Sequence, residues 1–359
     1  MSTLRVTAER LTIHPHPNAD ALELAQVGLL RAVVAKGAFR TGDWAVYVPE
    51  NALLPDDLVD ELGLTGRLAG SRRNRVKAVR LRGELSQGIV CVPGRLADRD
   101  LAAAHDAGTD FSGELGITKW VPKVPLHMSG ELVEAPDLLR WVEVENVKRH
   151  PDVFEQGEPV VATEKIHGTA CLFTLLTGTG EEFVSSKNHG ARRQGLAFAE
   201  DNLYWRSVVA HGVPEAARKV AERFGAARVG VFGEVFGSGV QDLGYGETGR
   251  SDHPGYAVFD ISLDVDGTVT WIDATDLPDL LAEVGLPAVP ELYRGPYDEA
   301  GLLAAARGRE TWSGGALHMR EGLVVRPAHE RYSAVLRGRA IAKFVSDDYL
   351  TRQGGTEYE

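Results

Sequence analysis

The chain has 359 residues, of which 43% are hydrophobic and 25% charged, with a formal net charge of −12. These values suit a soluble globular protein of about two domains and argue against one that coats nucleic acid indiscriminately. No apolar run reaches membrane-span length, Met1-Ser2-Thr3-Leu4-Arg5 lacks an export-signal core, and Cys91 and Cys171 alone make neither a disulfide framework nor a zinc cluster, so a cytoplasmic protein with no membrane partner is expected. In chain order, residues 1–120 read as mostly β. Short strands are predicted at 24–27, 29–35, 44–49, 76–81 and 88–93, separated by Gly, Pro, Asn and Asp. Such closely spaced strands predict a small barrel. Within it, residues 66–84 carry Arg67, Arg72, Arg73, Arg75, Lys77, Arg80 and Arg82 against one acid, Glu84. That run is either a solvated face or a surface that contacts phosphates.

Residues 121–158 hold Pro122, Pro125 and Pro136 among mixed polar residues and read as a connection. From 159 to 359, strand and helix signals alternate, which predicts an α+β domain. Helical spacing runs over 195–211, over 214–224 with Gly225 as a stop, from Asp276 to a stop at Gly285, and over 300–307. Strands are predicted at 228–235, 256–263, 268–272 and 321–326.

The chemistry gathers on those strands. Pro159-Val160-Val161-Ala162-Thr163 leads into Glu164-Lys165-Ile166-His167-Gly168-Thr169. Lys165 is the candidate nucleophile. A free lysine titrates near 10.4, so attack at neutral pH requires its pKa to fall, at a cost of about 3–4 kcal/mol supplied by burial or neighbouring cations. Glu164 is adjacent, and neighbouring strand side chains point to opposite faces, so it need not pair with Lys165. Gly168 allows close backbone approach, and a neutral His167 can donate a hydrogen bond to a sugar hydroxyl. Downstream come Ser185-Ser186-Lys187-Asn188, Val231-Phe232-Gly233-Glu234, Ala257-Val258-Phe259-Asp260-Ile261, Glu321-Gly322-Leu323-Val324-Val325-Arg326 and Ala340-Ile341-Ala342-Lys343-Phe344. An acid inside an apolar run, as at Glu234, needs a partner or a metal because an unpaired buried charge is costly.

This ordered set resembles the superfamily of ATP-dependent nucleic acid ligases and capping enzymes. The resemblance spans roughly residues 140–350, and the amino-terminal module is similar to an OB fold; His16-Pro17-Asn18-Ala19-Asp20-Ala21-Leu22-Glu23-Leu24 resembles a stretch of OB modules that bind tRNA. It implies an amino-terminal OB-like barrel (1–120), a linker (121–158) and a nucleotidyltransferase domain (159–359) of antiparallel sheets flanked by helices. It also implies site roles. Lys165, Glu234, Glu321 and Lys343 would be catalytic. Glu164, His167, Gly168, Lys187 and Phe259 would join them in binding ATP, with Phe259 stacked on adenine and Tyr256 its substitute. Glu234 and Glu321 would hold Mg²⁺ or Mn²⁺. Arg72, Arg73, Arg75, Lys77 and Asn188 would contact nucleic acid. Many relatives carry two lysines in the last motif, whereas here Ile341 takes the earlier place and Arg339 lies nearby. Most DNA ligases and capping enzymes place an OB domain after that motif. The reverse order, with the Lys-x-His-Gly form, is similar to the fifth family of ATP-dependent RNA ligases. The implied partners are ATP and a nicked RNA-containing duplex. The competing readings are a DNA ligase, a guanylyltransferase, a non-catalytic RNA-binding protein and a tRNA-related factor.

Overall fold

The structure, a computed structural model, describes residues 4–121, 128–141, 143–247 and 254–352. The chain divides into two compact units, one of residues 1–122 with 145–151 and one of 123–144 with 152–358.

The first unit is made of short antiparallel strands. Trp44–Val48 lies between Thr7–Arg10 and Ile89–Cys91, and Leu22–Val27 lies between Thr12–Pro15 and Leu30–Ala35. The two-residue period of Trp44–Val48 divides its side chains between two cores. Val46 and Val48 pack with Val6, Leu54 and Phe111, while Ala45 and Tyr47 pack with Leu11, Val27 and Ala32. The predicted strand at 76–81 is shorter, Val79–Leu81, and forms a hairpin with Glu84–Ser86. Thr7–Arg10 and Thr12–Pro15 were not predicted, because their polar and prolyl residues carry no apolar alternation.

Among the described residues the second unit has two larger sheets and a two-stranded ribbon, Tyr332–Ser333 with Gly338–Arg339. The larger runs Leu132–Glu134, Gln194–Leu196, Glu182–Ser186, Thr169–Leu176, Arg228–Phe236, Gly255–Val265 and Thr268–Trp271, in that spatial order. Helices Leu203–Ala210, Val213–Phe224 and Leu277–Val284 share one hydrophobic core with Cys171, Phe173, Val229, Val231, Val235 and Ile261 of this sheet. By alternation, Leu172, Phe232, Glu234 and Phe236 point to its other face. The smaller sheet orders Glu291–Pro296, Pro159–Lys165, Gly322–Pro327 and Ala342–Val345.

Helices Val213–Phe224 and Leu277–Val284 end as the sequence predicts, on left-handed Gly225 (φ 63°) and Gly285 (φ 82°). The helix predicted over 195–211 begins only after Asn202, whose side chain accepts hydrogen bonds from the Tyr204 and Trp205 amides. Gln194–Leu196 before it is a strand. Leu132–Glu134 pairs with that strand, so part of the stretch read as a connection belongs to the large sheet. Residues 122–127 and 142 of that stretch lie outside the described residues. Among the described residues no helix is long and apolar enough to cross a membrane.

Candidate functional site

Strand register builds the site. Lys165 stands opposite Gly322, which stands opposite Val345; Thr163, Val324 and Lys343 form the adjacent row. Cross-strand partners share a face, and so do residues two apart, so Lys165 and Lys343 lie on one face of the small sheet. Arg326 shares that face, opposite Val161. Its buried guanidinium donates to Asp260 Oδ1 of the large sheet at 2.9 Å, and Arg339 donates to Oδ2 at 2.6 Å. This buried ion pair turns the lysine face toward the sheet that carries Glu234 and Phe259.

Two glycines permit the close approach. A Cβ on Gly168 would collide with the Val235 carbonyl oxygen, one residue past Glu234. A Cβ on Gly322 would collide with the Phe344 carbonyl oxygen, one residue past Lys343.

Lys165 Nζ lies 2.8 Å from Glu321 Oε1. Its side chain is 26% exposed, so it lines a cleft and is not sealed in a core. Burial acts to lower its pKa, but the charges of Glu321 and then Glu234 override this and raise it. The expectation of a depressed lysine pKa is therefore not met by these partners, which hold the amine charged. Burial would raise Glu321, yet Lys165 and then His167 push it down to about 2. Glu234, half-buried, goes the other way: desolvation raises its pKa to about 7 against the pull of Lys165. The site thus keeps one firmly ionised carboxylate and one that titrates near neutrality.

His167 is fully engaged. Nε2 lies 2.7 Å from Asp242 Oδ1, and Nδ1 lies 2.9 Å from Tyr349 Oη. Its amide donates to Tyr245 Oη at 2.8 Å. Burial would lower its pKa, but Asp242 and then Glu321 raise it, favouring the imidazolium. The expectation of a neutral ring free to donate to a sugar is corrected, since both nitrogens already have partners. Glu321 Oε2 sits 3.5 Å from Nδ1, a charge contact too long for a hydrogen bond, and has no hydrogen-bond partner among the described residues.

The other expected residues scatter. The Glu164 side chain points away from Lys165 and is buried; its Oε2 accepts from the Thr311 amide at 2.8 Å and from its hydroxyl at 2.5 Å. Its pKa is raised by that burial. Phe259 is half-buried beside Phe232, with ring centroids 6.4 Å apart. Tyr256 lies in the helix-side core, which removes it as a substitute for Phe259. Lys187 pairs with Glu143 at 2.8 Å, and Asn188 is exposed.

In the first unit Arg72 and Arg73 are exposed and Lys77 is half-buried. Arg75 is corrected from a surface cation to an interior one. It is 1% exposed, lies 3.2 Å over the Trp120 ring and donates to Asn51 Oδ1. His16 is also buried, with Nε2 on the Leu81 carbonyl at 3.1 Å; Asn18 donates to the Arg82 carbonyl at 3.0 Å. That stretch therefore braces the basic hairpin.

Asp242, Tyr245, Thr311 and Arg352 were not singled out from sequence. Arg352 grips Asp242 with Nε to Oδ2 at 2.9 Å and Nη2 to Oδ1 at 3.1 Å. Each lies in a loop or at a helix end with no periodic pattern around it. For Asp242 and Tyr245 the available signal was the glycine-rich turn that carries them, Gly237 to Glu247.

A carboxylate pair flanking a cleft lysine, with an aromatic and a further lysine on the facing surfaces, is suited to nucleotidyl transfer. Comparisons with known proteins agree with the chemistry. An RNA ligase family model matches residues 158–345, and an OB-fold domain model matches residues 5–93. No curated relative matches the sequence. Solved structures of Naegleria gruberi RNA ligase are similar along nearly the whole chain. An apo mutant has a TM-score of 0.79 at 24% identity, covering 98% of both chains. A mutant with ATP and Mn has a TM-score of 0.78 at 22% identity, covering 96% of this chain and 98% of that one. A mutant with AMP and Mn has a TM-score of 0.78 at 24% identity, covering 97% and 98%. At such identity the likeness is one of fold, an OB fold followed by an antiparallel-sheet ligase domain. The ligase family model takes in more than half of the residues, and the chain belongs to the RNA ligase family.

Proposed function

We propose that this protein is an ATP-dependent RNA ligase that joins 3′-hydroxyl and 5′-phosphate ends, at nicks in RNA-containing duplexes. The observation that carries the reading is Lys165 Nζ at 2.8 Å from Glu321 Oε1, on the face shared with Lys343 and turned toward Glu234 and Phe259. Structures of the similar Naegleria enzyme with ATP or AMP and Mn support the choice of cosubstrate and ion.

The reaction runs in three balanced steps. The Lys165 amine, having lost a proton, attacks the α-phosphorus of ATP; an N–P bond forms, the bond to the β-phosphate oxygen breaks, and pyrophosphate leaves. A 5′-phosphate oxygen then takes the AMP, and the N–P bond breaks to return the amine. Finally the 3′-hydroxyl attacks the adenylylated 5′-phosphorus, and AMP departs. Lys343 offsets charge on the α-phosphate as it builds, and Phe259 offers a ring face for the base, worth about 1–3 kcal/mol. Lys187 and Asn188 contact the ribose and the ends to be joined. Gly168 lets the backbone come close to the nucleotide. Glu164 contributes by fixing Thr311 and not by direct contact.

The residues present fit a divalent cation. Glu321 Oε2 lacks a hydrogen bond and Glu234 is desolvated. Among the described residues no cluster of three His, Cys, Asp or Glu forms a ready-made metal cage. Mg²⁺ or Mn²⁺ held by these two carboxylates would complete its shell with water and phosphate oxygens. When bound it would share the Glu321 charge that now keeps the Lys165 amine protonated, with the carboxylate held in place, and would offset phosphate charge.

Residues 1–120 would hold the duplex, and residues 159–359, with the Leu132–Glu134 strand that joins their large sheet, would carry the adenylyl transfer. Arg72, Arg73 and Lys77 are the phosphate contacts of this reading; A-form geometry and 2′-hydroxyls beside the nick would mark the substrate as RNA. The test is incubation with α-labelled ATP or GTP, then with nicked duplexes in which each strand is RNA or DNA in turn. Covalent label from ATP that is lost in Lys165→Ala, and sealing that requires RNA at the nick, are expected. Label from GTP alone would make it a guanylyltransferase, and sealing of all-DNA nicks at equal rate would make it a DNA ligase.

A further inference from the structure

The side chains around His167 form a closed ring that the three chemical steps do not use. Asp242, from the loop after the Glu234 strand, meets His167 Nε2 at 2.7 Å. Arg352 holds both oxygens of Asp242, at 2.9 and 3.1 Å. The same guanidinium lies 3.8 Å over the Tyr349 ring and donates to the Tyr349 carbonyl at 2.9 Å. Tyr349 Oη returns to His167 Nδ1 at 2.9 Å, closing the ring. All four side chains are largely shielded: His167 is 9% exposed, Asp242 14% and Arg352 10%, and Tyr349 is buried. His167 in turn lies 3.5 Å from Glu321 Oε2, the carboxylate whose other oxygen holds Lys165.

We propose that Asp242 is a positioning residue for nucleotidyl transfer. Locked by Arg352 and Tyr349, it fixes the His167 ring, and His167 fixes the rotamer of Glu321 so that Oε1 faces Lys165. The short helix Asp347–Leu350 and Arg352 thereby become part of the active site, far in sequence from Lys165. The ring is built like the support of a catalytic group, with each polar atom matched and an aromatic face covering the charge. An isolated surface ion pair contributes little. Here the bidentate Arg352–Asp242 contact is shielded and directed at a residue two positions from the nucleophile, where displacement of about 1 Å is costly to rate.

The inference rests on Lys165 accepting AMP, and the test separates the two. Single-turnover labelling by α-labelled ATP is measured on the full chain for wild type, Asp242→Ala, His167→Ala and the double variant, with ATP KM and melting temperature. Asp242→Ala is expected to slow labelling about 30–100-fold at saturating ATP. Its KM should stay within about twofold, and in the His167→Ala background it should cost under about threefold. Asp242→Asn, which keeps an acceptor for Nε2–H, should recover part of the rate, and it serves as the test variant if Asp242→Ala does not fold. Losses that multiply in the double variant, or a loss confined to ATP KM, would overturn the positioning role. No label on the wild-type protein would instead overturn the proposed function.

Discussion

Lys165 and Arg75 are both cations drawn out of bulk water, one in each unit, and they differ in depth and in the contacts that hold them. Arg75 lies against the indole face of Trp120 and the amide oxygen of Asn51, at 1% exposure. Lys165 keeps a quarter of its side chain accessible and rests on Glu321, with Glu234 as a second influence. An indole face and an amide oxygen at that depth are lost only by unfolding, so these contacts make Arg75 a structural anchor. A carboxylate partner can be taken over by another cation, so the Lys165 arrangement can be undone by a ligand. Burial of a basic residue therefore says little about function until its partner is known.

The largest expected effect falls on Lys165. If Lys165 is the nucleophile proposed above, Lys165→Met should abolish covalent labelling, a loss of at least roughly 10⁴-fold. Arg75→Met should leave labelling within about threefold in protein that remains folded. Gel autoradiography after incubation with α-labelled ATP reads both. Labelling that survives in Lys165→Met, or vanishes in folded Arg75→Met, would reverse the roles assigned to the two cations.

Next in size is stability. Arg75→Ala should cost roughly 2–4 kcal/mol, since it removes packing under Trp120 and leaves the Asn51 oxygen without its donor. Differential scanning calorimetry should show the transition that reports the first unit moving down by several degrees. An unchanged transition would mean that Arg75 is a surface group after all.

Lys165 was legible in sequence because chemistry and secondary structure coincide there. An apolar strand, a lysine and a glycine turn recur with acids on later strands, and strand alternation alone separates Glu164 from Lys165. The helix stops at Gly225 and Gly285 were legible for the same reason, since a glycine needed for a left-handed turn is a local requirement. Arg75 was not legible. Arg72, Arg73 and Arg75 are equivalent in composition, and only the tertiary placement of Trp120, 45 positions on, turns one of them inward. Asp242 and Arg352 were hidden likewise, because a hydrogen bond across 110 positions leaves no trace in either neighbourhood. The charge state of Lys165 was missed because it depends on how near Glu321 comes, which register and Gly322 decide.

A smaller effect is expected from the carboxylates beside Lys165. Glu234 titrates near 7 in the folded protein, chiefly through desolvation, while in the unfolded chain it has an ordinary carboxyl pKa. The folded state therefore binds the extra proton between about pH 4.5 and 7, and stability falls as pH rises through that window. Glu234→Gln removes the penalty. Its melting temperature should exceed wild type by a few degrees at pH 8, about 1–2 kcal/mol, and match it near pH 4. A gain of equal size at both pH values would mean packing, not charge, is responsible. Adenylylation should fall in the same variant, so stability and activity should move in opposite directions.

The smallest expected effects belong to the neighbours of Arg75. Arg72 pairs with Asp56 at 3.4 Å, but both side chains are more than 70% exposed, and such a pair contributes little. Arg73 is also exposed. Replacing both with alanine should shift the melting temperature by less than about 1 °C, within the range of ordinary surface substitutions. Self-adenylylation should be unaffected, because ATP needs no duplex. Sealing of a nicked duplex should weaken, and the slope of log rate against log salt should become shallower by about one to two, as fewer counterions are released on binding. A steep slope retained by the double variant would place the phosphate contacts elsewhere, on Lys77 or on the hairpin that His16 and Asn18 brace. Equal loss of both steps would mean that the exposed arginines share the structural duty of Arg75.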